Sequence, residues 1–134
     1  MAHHNFEELE VWKRSARLGV AVLQLADTLT LYALRDQMAR SAISIASNIA
    51  EGSERDSDKE FRRFLAIAKG SAAELRTQLY LGQRAGLLTA ESAAPLIREA
   101  KEVSSMIQGL ILSLTRASTS VCLVAWISLA SGVF

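Results

Sequence analysis

Apolar residues return along this chain every three or four positions, in four separate runs, a spacing that predicts helices rather than strands. The first run carries two stripes, Leu9, Trp12, Ala16, Gly19, Leu23 and Ala26 on one and Val11, Leu18, Val22, Leu25 and Leu29 on the other. At about 100° per residue these cover more than half the circumference, so helix one is expected to bury two faces. Asn5-Phe6-Glu7-Glu8 marks its start, an N-cap with a glutamate three residues on. Thr28 to Tyr32 interrupts the rhythm without a glycine, proline or asparagine, and a turn is expected there. The second run sets Leu34, Met38, Ala42, Ile45 and Ile49 on one stripe and Ile43, Ala46 and Ala50 on an adjoining one. Gly52 is expected to end it, since glycine accepts the left-handed conformation.

Ser57-Asp58-Lys59-Glu60 then reads as a capping box in which Ser57 and Glu60 satisfy each other's free backbone donors. Beyond it Phe61, Leu65, Ala68, Ala72, Leu75, Leu79 and Gly82 alternate in steps of four and three, a left-handed bundle seam. Ala68, Gly70, Ser71, Ala72 and Ala73 are small enough to admit another backbone, which makes helix three central in the packing. Gly86 supplies its stop, and Thr89 or Ser92 the next cap, with Ser92 favoured because Pro95 then falls in the first turn. Leu96, Ala100, Val103, Ile107, Leu110 and Leu114 continue the four-three rhythm in helix four. The expected fold is all-α, an antiparallel up-and-down four-helix bundle over residues 1–116.

After Leu114 the rhythm fails, and residues 117–134 carry no charge. This atypical apolar C-terminal tail is expected to pack against the bundle or at a subunit interface, or to be a poorly ordered end. A membrane span is disfavoured, because Ser118, Thr119, Ser120, Ser128 and Ser131 dilute it and no basic cluster flanks it.

With 134 residues, half of them apolar, the chain can build one core without staples. Its single cysteine, Cys122, forms no internal disulfide, and no basic, apolar leader opens the sequence, so a reducing, cytoplasmic setting is expected. Fifteen basic against fourteen acidic side chains remove bulk charge as an argument for nucleic acid or an acidic membrane.

Four-helix bundles often house di-iron centres built on Glu-x-x-His pairs, but His3 and His4 precede the first helix and no helix carries the motif. No nucleophile stands beside a histidine, and the glycines form no phosphate loop. Hence no cofactor, no metal, no small-molecule substrate and no enzymatic activity is expected. Glu51 and Glu74, beside apolar seams, are expected to be hydrogen-bonded to backbone or arginine, and Asn48 to bond locally at its helix end.

The cations are more informative. Arg62, Lys69 and Arg76 recur every seven residues, a line with steps of about 10 Å that is either a phosphate ladder or a bundle-edge row paired with acids. Lys13, Arg14 and Arg17 form a second cluster, where Glu10 can pair with Arg14. No aromatic platform accompanies either cluster, so base stacking is not indicated.

Gln37, Arg40, Ser44-Ile45, Asn48-Ile49-Ala50-Glu51-Gly52, Phe64-Leu65, Ala68, Gly70-Ser71 and Ala73-Glu74-Leu75 occur in the order of a known family, and Phe6, Leu9, Val11-Trp12 and Ala16 match its opening. The chain resembles the bacterial four-helix-bundle family named for proteins encoded in 23S rRNA intervening sequences. The resemblance implies a ring of five identical subunits. It also implies kinship with the accessory proteins of diversity-generating retroelements, similar bundles that bind nucleic acid and a reverse transcriptase. Those relatives are strongly basic, and this chain is not. The expected function is therefore that of a non-enzymatic homo-oligomer, by resemblance a homopentamer, that binds nucleic acid or a nucleic-acid-handling protein. The alternative is a structural scaffold with no nucleic-acid role.

Overall fold

The computed structural model describes residues 5–130, with side chains except those of 126 and 128–130; His3 and His4, and the last residues of the tail, lie outside them. Four α-helices follow in order: α1 Glu10–Asp27, α2 Tyr32–Ser53, α3 Asp58–Arg84 and α4 Ala90–Ala130. Among the described residues α1 packs on α2 and α4, and α3 packs on α2 and α4, with no contact across the diagonals. This is the square cross-section of an up-and-down bundle.

The core is drawn from one stripe per helix. All seven residues of the α3 seam, Phe61 through Gly82, are buried. Met38, Ala42, Ile45 and Ile49 face them from α2, and Ala100, Val103, Ile107 and Leu114 from α4. On α1 the inward stripe is Val11, Leu18 and Val22, and Leu29 just past the helix end continues it. The other α1 stripe is divided: Gly19 and Ala26 are buried, whereas Leu23 is 40% exposed. Burying one leucine or isoleucine of this kind contributes about 1.5–3 kcal/mol, so these four stripes dominate the stability of the bundle.

Several local expectations give way to tertiary packing. Asn5 caps a 3-10 turn, Phe6–Glu8, by accepting the Glu7 amide, and extended Leu9 separates that turn from α1. Gly52 does not end α2 in the left-handed region; the helix runs through it to Ser53, and Gly86 (φ 75°) is the glycine with positive φ among the described residues. What Gly52 provides is room. A β-carbon there would lie 2.7 Å from Phe64 Cβ and 3.3 Å from the Phe61 carbonyl oxygen, so α3 docks against a surface only glycine leaves open. Near the other end Gly82 is close-packed too, but against leucine side chains, where a β-carbon would meet the Leu88 Cδ1 and Leu34 Cδ2 methyls at 2.7 and 3.1 Å. Gly70 differs: nothing lies within 4 Å of the equivalent point, so it admits no close backbone neighbour within the chain.

Ser57 caps α3 by accepting the Glu60 amide at 3.1 Å, while the Glu60 carboxylate receives Arg63 rather than closing the capping box. Thr89, not Ser92, caps α4 by accepting the Ser92 amide at 3.2 Å. Pro95 therefore lies in the second turn, where it removes one intrahelical hydrogen bond instead of none. Helix α4 runs past position 116 unbroken: 41 residues make it about 61 Å long, against about 40 Å for α3. The excess leaves the bundle at the end where α2 turns into α3.

Candidate functional site

The α2–α3 contact is where most of the motif residues meet. Asn48 donates to the Ser44 carbonyl at 2.8 Å and to the Ser44 hydroxyl at 2.9 Å. That hydroxyl is 2.8 Å from the Ser71 hydroxyl on α3, which also donates to the Ile67 carbonyl at 3.2 Å. Both hydroxyls and the Asn48 amide nitrogen in this half-buried chain of side chains have partners, which fixes the register of α2 against α3. One turn further, Glu51 accepts Arg55 at 2.7 Å, as expected of a carboxylate at a helix end. Arg55 and Arg63 lie over Phe64 at 4.8 and 4.7 Å from its ring centroid, so Phe64 is clamped against Gly52 by two guanidiniums. Glu74 is exposed.

Around this contact the outer surface of α2 and α3 carries several exposed apolar or small residues, with the charged side chains of Arg63 and Glu74 among them. Ile43 is 51% exposed, Ile67 42% and Leu81 60%. Ser47, Ala66, Gly70 and Ala73 are exposed with them. Ala66, Gly70, Ala73 and Thr77 repeat the four-three rhythm on the face of α3 opposite its core seam, and Gly70 is its open centre.

The six candidate phosphate-binding cations fall into two electrostatic groups. Arg14 is not paired with Glu10; it crosses to α4 and forms a two-pronged bond with Glu99, Nε to Oε1 and Nη2 to Oε2, both at 2.8 Å, with Glu102 at 3.9 Å. The hydrogen bond from Arg14 holds the Glu99 carboxyl below the ordinary glutamate range, and the same bond raises the Arg14 guanidinium. Glu10 takes Arg17 instead, at 3.5 Å. Two of the three α1 cations are thus compensated by carboxylates, and Lys13 is exposed.

In the α3 row Arg62 and Lys69 are bonded differently, to neutral acceptors on α4 rather than to acids. Arg62 donates to the Leu114 carbonyl at 3.3 Å and the Ser118 hydroxyl at 3.1 Å, and Lys69 to Gln108 at 2.7 Å. Arg76 is half-buried, its Nε enclosed without an acceptor among the described residues. A neutral acceptor orients a cation without cancelling it, so the row keeps its positive charge. Sequence reasoning missed the residues that hold these cations, Glu99, Gln108 and Ser118, because each bond is set by the α1–α4 and α3–α4 registers rather than by spacing along one helix. Among the described residues no group of three or more His, Cys, Asp or Glu side chains could hold a metal ion.

The comparisons with known proteins accord with this architecture. The profile of a family described as "23S rRNA-intervening sequence protein" matches residues 7–109. A crystal structure of a protein of unknown function, from the S23 ribosomal protein family of Bacteroides thetaiotaomicron, superposes with a TM-score of 0.73 at 25% identity. The match covers 75% of this chain and 97% of that one. No curated protein matches. The far end of α4 lies outside the profile match, and by its core stripes, its α2–α3 motif and the extent of that match the chain belongs to the 23S rRNA-intervening sequence protein family.

Proposed function

We propose that this protein is a non-enzymatic, self-assembling helical bundle of the cytoplasm whose subunits meet through the outer face of α2 and α3. The observation that supports this reading is the group of exposed apolar and small residues on that face, with Ile43 and Ile67 51 and 42% exposed near the open position of Gly70 and Leu81 60% exposed about three turns further along α3. Soluble monomers seldom leave such a face uncovered, and a glycine lets a second helix approach it closely. The family resemblance makes the closed ring of five the expected assembly. Light scattering tests the reading: the purified protein has the mass of an oligomer, and a double variant, Ile67→Arg with Gly70→Arg, is a monomer with unchanged helical circular dichroism. A wild-type protein that stays monomeric at micromolar concentration overturns it.

A second reading, RNA or DNA binding by the assembled ring, is favoured by the uncompensated row Arg62, Lys69 and Arg76. The family description refers to 23S rRNA and the relative's title to a ribosomal protein family, which makes structured RNA the first ligand to try. Steps of about 10 Å along one edge, repeated on every subunit, suit contacts to phosphates, which are blind to sequence and weaken steeply with salt. Replacing the three by glutamine should weaken binding and flatten the salt slope by about one unit per lost contact. If the assembled protein binds neither RNA nor duplex DNA at low salt, the scaffold function stands alone.

A further inference from the structure

The part of α4 that lies beyond the family's bundle presents its apolar side chains to the outside. The profile match stops at residue 109, and nearly the whole of the solved relative is matched by three quarters of this chain. Leu114 is the last buried residue of α4 among the described ones, and Arg116 carries the last charge of the sequence. Beyond them Val121, Leu123, Val124 and Ile127 are 71, 58, 65 and 61% exposed, and Cys122 between them is exposed as well.

We propose that α4 from Ala117 onward inserts into a lipid bilayer and anchors the bundle to its surface. The distribution of apolar side chains chooses lipid over a protein partner. Val121 to Val124 are consecutive, so at about 100° per residue they point in all directions around one turn, and Ile127 extends the apolar surface into the next. A single partner helix covers one side of such a helix, whereas a bilayer surrounds it on every side. The hydroxyls of the segment's described side chains are already satisfied from within. Thr115, Ser118, Thr119 and Ser120 each donate to the carbonyl four residues earlier, at 2.8, 3.1, 3.0 and 3.0 Å, so their hydroxyls enter an apolar medium without an unmade bond.

The described length of the helix reaches well into a bilayer. Residues 117–130 form about 21 Å of helix, which passes the midplane of a hydrocarbon core about 30 Å thick, and no charged side chain has to cross. Where the helix leaves the bundle it is flanked by Asp58, Lys59 and Arg62, charges of both signs. Arg62 grips the exit at Leu114 and Ser118. Insertion is therefore driven by the apolar surface and needs no anionic lipid.

The test is flotation of the full chain with phosphatidylcholine vesicles. The wild type rises with the vesicles, and a Leu123→Asp, Val124→Asp variant, which keeps the bundle intact, remains at the bottom. Cys122, the sole cysteine of the chain, supplies a second measurement: adding vesicles slows its reaction with a charged maleimide at least about tenfold. Wild type that fails to float, or a variant that floats equally well, overturns the proposal. So does protection of Cys122 that rises with protein concentration and ignores vesicles, because the tail is then covered by a second copy.

Discussion

Two glycines of one motif have opposite physical roles. Gly52 is a contact: a β-carbon would strike the Phe64 Cβ at 2.7 Å, the Phe61 Cδ1 at 3.0 Å and the Phe61 carbonyl oxygen at 3.3 Å, and the first and last of these are not the free end of a flexible side chain. Gly52→Ala gains up to about 1 kcal/mol of helix propensity but costs about 1–3 kcal/mol in overpacking, and part of α3 has to shift. A net loss of stability is expected, read as a lower denaturant midpoint with the slope unchanged. Gly70→Ala, into open space, gains propensity with no such cost in the isolated subunit, so a variant as destabilised as Gly52→Ala would show that the face around Gly70 is already packed. The sequence pattern marks both glycines as exceptional positions in helical runs. It reads Gly52 as a helix stop and Gly70 as a close approach, whereas Gly52 is the close approach and Gly70 an open position, because a stop, a close approach and an open face all ask for the same missing side chain.

At the scale of the element, the apolar stripes were legible and the polar ties between helices were not. The α3 seam is buried at all seven predicted positions because a four-three rhythm allows one inward face. Arg14 illustrates the other case: the nearest acid along its own helix is Glu10, but a rigid fork reaching Glu99 on α4 makes two charge-assisted hydrogen bonds in place of one exposed ion pair. That tie should be visible in the pH dependence of stability. The folded-state pKa of Glu99 is lowered by the Arg14 hydrogen bond, so its contribution is complete above the unfolded value of about 4.3 and is lost as the pH falls through the folded value. The Arg14 pKa is raised, and its share is lost only at alkaline pH above the range where such proteins are studied. Glu99→Gln should therefore lower the urea midpoint at neutral pH, by an amount that shrinks with added salt, since both side chains are a quarter to a third exposed. The gap between variant and wild type should close as the pH is brought below about 4. A gap that persists undiminished to a pH of about 2 would mean that Glu99 acts by packing and not by charge.

The whole molecule divides at a point that neither helix length nor backbone geometry marks. Helix α4 passes residue 116 without a break, yet its surroundings change from the packed faces of α1 and α3 to an exposed surface over residues 119–125. The loss of the heptad rhythm after Leu114 signalled this in the sequence; the continuation of the helix did not follow from it, because an uncharged run of mixed apolar and hydroxyl residues fits a packed segment, a loose end or a free helix equally well. We propose residues 1–116 as the folding unit, since the four core stripes end at Leu114 and the tail adds to them the Ser118 hydroxyl that Arg62 holds. Truncation after Arg116 should remove helical circular dichroism in proportion to the lost residues and leave one cooperative unfolding transition. The melting temperature should fall slightly, because Arg62 keeps the Leu114 carbonyl as an acceptor. The truncated protein should also keep the oligomeric mass of the full chain, because the assembly face lies on α2 and α3. A broad, non-cooperative melt would place the tail inside the folding unit, and a monomeric truncated bundle would move the assembly contact from the α2–α3 face to α4.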